Sequence, residues 1–170
     1  NVSDAAGNPA LTVTRDVIIA DTAIPVITLT GSSPVNHEQG LSYTDSGAAA
    51  TDGVDGDITV DIIVTGTVNV NTAGTYTLSY NVSDAAGNAA TTVTRDVIVA
   101  DSTAPTLALL GSTPVDHPQG QLFVDPGTSA LDNIDGDISV SVVTSGSIDI
   151  NTVGPYILTY NVSDAAGNAA

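Results

Sequence analysis

The string Asn-Val-Ser-Asp-Ala-Ala-Gly-Asn occurs three times, at Asn1–Asn8, Asn81–Asn88 and Asn161–Asn168, always 80 residues apart. Residues 21–90 align with 101–170 without a gap, and 36 of the 70 positions are identical. Segments 1–20 and 81–100 agree at 17 of 20 positions. So long a period exceeds the unit of a solenoid and suits a small domain with its own core. The chain therefore reads as tandem domains. Residues 1–20 are the last strand of a preceding repeat, 21–100 a complete domain, and 101–170 a second domain lacking its final strand. The window opens and closes inside one motif, which leaves two readings. One is excision from a longer array. The other is strand donation, in which 9–20 of one molecule completes 101–170 of the next in a head-to-tail filament. Donation must contend with 1–8 duplicating 161–168, since both copies cannot fill one loop.

Helix formers are scarce, Val, Ile and Thr abound, and Gly, Asn, Asp or Pro punctuate the chain at short intervals, the pattern of a β-sandwich. Ile58, Val60, Ile62 and Val64 alternate with Thr59, Asp61, Ile63 and Thr65, predicting one strand over 58–65. Tyr76, Leu78, Tyr80 and Val82 predict another, and 89–99 a third, although Arg95 and Asp96 disturb its alternation. Earlier strands are expected near 25–30 and 42–50, with Pro25 and Pro34 at an edge or a strand start.

Asn71-Thr72-Ala73-Gly74-Thr75-Tyr76-Thr77-Leu78 resembles the tyrosine corner of immunoglobulin-like domains, with Leu78 in place of the usual cysteine; 151–158 repeats it. That resemblance makes 75–82 strand F, 89–99 strand G, 58–65 strand C and 42–50 strand B. The fold class is then all-β: tandem immunoglobulin-like β-sandwich domains with Greek-key topology. The string Ile24-Pro25-Val26-Ile27, then Asp52-Gly53-Val54-Asp55-Gly56-Asp57, Gly74-Thr75-Tyr76 and Ser83-Asp84-Ala85-Ala86-Gly87-Asn88, resembles the bacterial immunoglobulin-like repeats first described in a pesticidal crystal protein, relatives of hyalin-repeat domains. The resemblance implies a large secreted or surface-anchored bacterial protein in which such repeats act as spacers, adhesive stalks or accessory modules.

Charge narrows the partners. Two Arg oppose nineteen acids, for a net charge of −17, so nucleic acid and anionic membrane surfaces are repelled. There is no Cys, hence no disulfide, thiolate metal site or cysteine nucleophile, and no Lys for a Schiff base or a P-loop. No apolar run approaches a membrane span, and the first residues show neither the basic nor the apolar region of a signal peptide.

Among the Asp that recur between the repeats, five equivalent pairs fall in the linker and turn motifs: Asp21/Asp101, Asp52/Asp132, Asp55/Asp135, Asp57/Asp137 and Asp84/Asp164. Carboxylates so close raise one another's pKa unless a cation joins them, and hard oxygen donors at short spacing suit Ca²⁺. If strand A runs down, then B runs up, C down, F up and G down. The B–C and F–G loops therefore share one end with the start of A. The expected ligand sets are Asp21, Asp52, Asp55, Asp57, Asp84 and Asn88, and Asp101, Asp132, Asp135, Asp137, Asp164 and Asn168. Each would sit at a domain junction. The competing account is plain turn chemistry, because Asp and Asn cap their own backbone. Glu38 and Asp61 lie outside the recurring set and are given no part in it.

His37 and His117 are read as edge histidines, Arg15 and Arg95 as partners of acids on neighbouring strands, and the aromatics as core or corner residues. Asn1, Asn81 and Asn161 open glycosylation-pattern triplets that are idle in a bacterial source. Nothing resembles an activated nucleophile, so no enzyme is expected. The reading is an extracellular or cell-surface spacer or stalk, stiffened by Ca²⁺ at its junctions, whose partners are neighbouring repeats or identical chains head-to-tail. A strand-donating filament subunit and a glycan- or protein-binding accessory module are the alternatives.

Overall fold

The computed structural model describes residues 2–170, and its regular elements are strands and single 3₁₀ turns. Asn1, which opens the first glycosylation-pattern triplet, lies outside the described residues. The first repeat carries β1 (Val26–Leu29), β2 (Val35–Glu38), β3 (Ala48–Asp52), β4 (Gly56–Asp57), β5 (Ile63–Thr65), β6 (Gly74–Asn81) and β7 (Val93–Ala100). The second carries β8 (Thr106–Leu109), β9 (Thr128–Asp132), β10 (Gly136–Asp137), β11 (Val143–Ser145) and β12 (Thr159–Asn161).

In the first repeat one sheet has the order β1-β3-β4 and the other β2-β7-β6-β5. β2 and β7 run parallel, from Val35↔Val97 to Glu38↔Ala100. In the second, β10-β9-β8 forms one sheet and β11-β12 the other. Antiparallel pairing runs from Thr106↔Leu131 to Leu109↔Thr128.

The chain condenses into two compact units that cut across the repeat. One takes the chain up to Thr28 with Ala48–Ile63 and Tyr80–Val93, and buries Ile27, Ala50, Ile58, Tyr80 and Val82. The other takes Leu29–Gly47, Val64–Ser79 and Thr94–Ala170, and buries Leu78, Arg95, Val97, Val99, Ala130 and Val162. Along β6 and its continuation the buried side chains are Leu78, Tyr80 and Val82; along β7 they are Arg95, Val97 and Val99. This is the period of two that puts one face of a strand inward.

The tyrosine corners form as expected. The Tyr76 hydroxyl donates to the Thr72 carbonyl at 2.8 Å, and Tyr156 donates to Thr152 at 2.9 Å.

Three strand expectations are corrected. Residues 58–65 are not one strand: Thr59–Asp61 is a 3₁₀ turn, and only Ile63–Thr65 is extended. The Asp57 carboxylate takes the Thr59 N–H at 3.0 Å, and that local bond bends the chain in spite of its alternating pattern. Val60 is consequently exposed while Ile58 is buried. Strand B begins at Ala48, immediately after Gly47, whose φ of +73° turns the chain into it. Strand G runs from Val93 to Ala100, and Arg95 breaks its pattern because it is itself a core residue.

Arg95 is fully buried. Its guanidinium pairs with Asp45 and donates to the carbonyls of Thr30, Gly47 and Ser32, the last two at 3.1 and 3.2 Å. A planar fork of five donors can satisfy several acceptors from one side chain, which is why arginine and not lysine can be tolerated there. Its repeat-mate Arg15 has no such setting: residues 10–20 belong to no strand and are exposed.

Candidate metal centre

Short Asx-type bonds within each acidic loop aim the carboxylates. Asp52 Oδ1 accepts the N–H groups of Val54 and Asp55 at 2.7 and 3.0 Å, and Asp132 Oδ1 accepts those of Ile134 and Asp135, both at 2.8 Å. These bonds hold the Asp52 carboxyl below the usual carboxylate range. Asp84 Oδ1 accepts the Asn88 N–H at 2.7 Å and Oδ2 accepts the Asn88 amide at 2.7 Å; Asp164 and Asn168 repeat both bonds. The same turn closes at Asp4 and Asn8 in an exposed segment, so it is self-sufficient.

Bonds between loops then bring the clusters together. Asp55 Oδ2 accepts the Ala85 N–H at 2.8 Å and Asp135 Oδ2 that of Ala165 at 2.6 Å. The Asn88 amide donates to the Asp21 carbonyl at 3.2 Å, and that of Asn168 to Asp101 at 3.3 Å. As a result, one carboxylate oxygen from each of Asp21, Asp52, Asp55 and Asp84 lies within 4.8 Å of the others. Asp101, Asp135 and Asp164 form the second such group. Oxygens on one calcium at ~2.3–2.6 Å can stand at most about 4.6–5.2 Å apart, so each group fits a single coordination sphere.

The Oδ2 atoms of Asp52 and Asp132 are buried and have no hydrogen-bond partner among the described residues. Buried polar oxygens are almost always partnered, and Asp52 is only 8% exposed. A cation beside it would give that oxygen a partner.

Not every expected ligand joins these groups. Asp57 and Asp137 are outside both groups, because each is bound to the turn after it, Asp57 through Thr59 and Asp137 through the N–H and hydroxyl of Ser139 at 3.0 and 2.6 Å. Those bonds hold both carboxyls low. Asn88 and Asn168 lie beside the groups, their amide N–H donating to Asp84 and Asp164, which leaves the side-chain oxygen uncommitted. Asp132 is not among the converging oxygens of the second group, although its Oδ2 is buried. Burial foremost, aided by the charges of Asp132, Asp164 and Glu38, pushes the Asp101 carboxyl up against the N–H bond from Thr103.

Glu38, outside the recurring set, has a different part. At the end of β2 its carboxylate accepts the Ser102 N–H at 3.1 Å, the Ser102 hydroxyl at 2.5 Å, the Thr103 hydroxyl at 2.9 Å and the Asn133 amide at 3.4 Å. The Ser102 hydroxyl is the largest cause of a carboxyl held down at about 2. Two residues on, Gly40 faces Ile134 so closely that an added Cβ would stand 3.2 Å from its Cδ1. The first repeat thus clamps the linker and an acidic loop of the second. The partners are 64 to 95 residues from Glu38, and no local motif announces them.

His37 is a half-buried edge residue, its ring bonded to the Leu41 carbonyl at 3.0 Å and set edge-on to Tyr43; His117 repeats this, exposed, with Gln121 and Phe123.

A family model described as "Bacterial surface protein, Ig-like domain" matches twice, over residues 27–99 and 107–170. An uncharacterized 81.3 kDa protein of Acholeplasma phage L2 is 32% identical over 60% of this chain and 14% of its own. The pesticidal crystal protein Cry22Aa of Bacillus thuringiensis is 31% identical over 76% of this chain and 18% of its own. The chain therefore spans less than a fifth of the length of these relatives. Among solved structures, the lipoprotein BT2262 of Bacteroides thetaiotaomicron shares 32% identity over 50% of this chain and 45% of its own, with a TM-score of 0.41. The CBM51-2 and INT domains of Clostridium perfringens ZmpB share 19% identity over 52% of this chain and 21% of theirs, with a TM-score of 0.39.

Proposed function

The chain belongs to the family of bacterial surface protein Ig-like domains, and from that premise we propose that it is a spacer in an extracellular stalk, stiffened by Ca²⁺ at the start of each repeat. The observation that carries the cation is the buried, partnerless Oδ2 of Asp52 among the converging carboxylates of Asp21, Asp55 and Asp84. Calcium would join the linker residue Asp21 to the loops after β3 and β6, and would neutralise charges that otherwise repel. In the second repeat the Glu38 clamp holds Ser102, and calcium would add a hold on the neighbouring linker residue Asp101. A linker held at two adjacent residues loses hinge freedom, and a stiff array projects whatever it carries further than a flexible one.

Melting in Ca²⁺, in Mg²⁺ and in EDTA tests the cation. A ligand at a hundredfold excess over its Kd stabilises by about 2.7 kcal/mol, which is upward of 10 °C in Tm for a domain of this size. We expect that rise with Ca²⁺ and a smaller one with Mg²⁺, which demands stricter octahedral geometry. A Tm equal in Ca²⁺ and EDTA removes the metal from the proposal.

A further inference from the structure

At the Glu38 clamp the two repeats stop being copies of each other. The equivalent of Glu38 is Pro118, that of Thr103 is Ala23, and that of Asn133 is Gly53; Ser102 alone has a hydroxyl-bearing counterpart, Thr22. Proline, alanine and glycine have no side-chain donor or acceptor, so at those places the repeat-mates cannot make these bonds.

The two oxygens of Glu38 are used differently. Oε2 takes the N–H and the hydroxyl of Ser102, while Oε1 takes both the Thr103 hydroxyl at 2.9 Å and the Asn133 amide at 3.4 Å. Oε1 thereby ties the linker after β7 to the loop after β9. The second carboxylate group joins the same two segments, with Asp101 in the linker, Asp135 in that loop and Asp164 in the loop after β12. Short bonds connect clamp to group. The Thr103 N–H donates to Asp101 Oδ1 at 3.2 Å, and Asn133 lies inside the turn that the Asp135 N–H closes on Asp132 Oδ1 at 2.8 Å. It is in this turn that the Asp132 Oδ2 is buried with no hydrogen-bond partner among the described residues.

We propose that Glu38 is a positioning residue for the cation of the second group, acting through Ser102, Thr103 and Asn133 and not as a ligand. This role rests on the calcium reading given above. Two effects share one sign. Segments already held together spare the cation part of the ordering cost of binding. The charge of Glu38 also reaches Asp101, and so adds to the repulsion that a cation relieves. The coupling is reciprocal: a cation that favours the clamped arrangement must strengthen the clamp. The first group, with Ala23 and Gly53 at the corresponding places, cannot be held through them, so the two groups differ in what sets their affinity.

Calcium titration of the whole chain, followed by amide NMR spectra, reads each group through its own reporter: the Ala85 N–H on Asp55 and the Ala165 N–H on Asp135. Glu38→Ala removes the whole clamp. Asn133→Gly removes one of its bonds without changing charge, and installs the residue that the first repeat already holds at that point of the turn. We expect both to raise the calcium midpoint at Ala165, Glu38→Ala by at least about fivefold and Asn133→Gly by less, with the Ala85 midpoint unmoved. In the parent, calcium should slow hydrogen exchange of the Ser102 N–H. An Ala165 midpoint that neither variant moves overturns the positioning role and leaves calcium standing. So does a shift with Glu38→Ala alone, which is an effect of charge. If neither reporter responds to Ca²⁺ in the parent, the calcium reading falls and this role with it.

Discussion

The Oδ2 of Asp55 accepts the backbone N–H of Ala85 at 2.8 Å across thirty residues of sequence, and Asp135 and Ala165 repeat the bond at 2.6 Å. It ties the loop after β3 to the loop after β6, so the acidic cluster is assembled by neutral donors before any cation arrives. Each repeat therefore carries a preformed set of oxygens, whose mutual repulsion is the quantity a ligand would relieve.

Asp52→Asn separates turn chemistry from metal binding. The amide keeps an oxygen for the Val54 and Asp55 N–H groups and sets donors where the partnerless Oδ2 stood, facing carboxylates. In EDTA the variant should melt several degrees above the parent. In Ca²⁺ it should lose most of the parent's rise. Calorimetry under both conditions reads the two signs, and an undiminished calcium shift excludes Asp52 as a ligand.

Arg95→Ala strips a half-buried carboxylate and three carbonyls of a fully buried donor at once. Urea unfolding should show a loss of about 3–5 kcal/mol. Arg95→Lys should recover little of it, because one ammonium cannot span the fork's acceptors.

Glu38 makes the linker acid-sensitive over a defined interval. Its carboxyl stands at about 2, against 4.5 for an unstrained glutamate. A depressed carboxyl contributes fully above the unfolded value and loses its contribution as pH falls through the folded one, so the clamp should weaken between about 4.5 and 2. The Ser102 amide resonance should titrate with a midpoint near the lower figure. Glu38→Gln should abolish that titration, and a midpoint near 4.5 in the parent would refute the clamp.

Gly66 has φ of +100°, and a Cβ there would run into the Thr77 carbonyl. Gly66→Ala should destabilise by more than about 2 kcal/mol. Gly87, at φ of +92° with open space around it, is the control: Gly87→Ala meets backbone strain alone and should lose about 1 kcal/mol. Equal losses would show that the Thr77 contact relaxes freely.

What could be read from the chain divides by range. The tyrosine corners and the Asp-Ala-Ala-Gly-Asn turns are closed by bonds spanning four residues, so their residue types declare them. Strand F was legible because its alternation meets no competing local bond. Strand C was not, since Asp57 captures Thr59 and bends a segment whose hydrophobic pattern looks extended. The same capture removes Asp57 from the cluster, a choice between two uses of one carboxylate that spacing alone does not decide. Arg95 was legible as the partner of an acid but not as a core residue. Its acceptors at 30, 32, 45 and 47 meet only when the sandwich closes.

The parallel ladder of β2 and β7 also decides how the first repeat meets tension. A pull that reaches Val35 from the amino side and leaves through Ala100 drags two parallel strands in opposite directions along a common axis. The pairs from Val35↔Val97 to Glu38↔Ala100 are then loaded together in shear, where an antiparallel hairpin would be peeled open one bond at a time. Tension that reaches this ladder is therefore shared among its pairs.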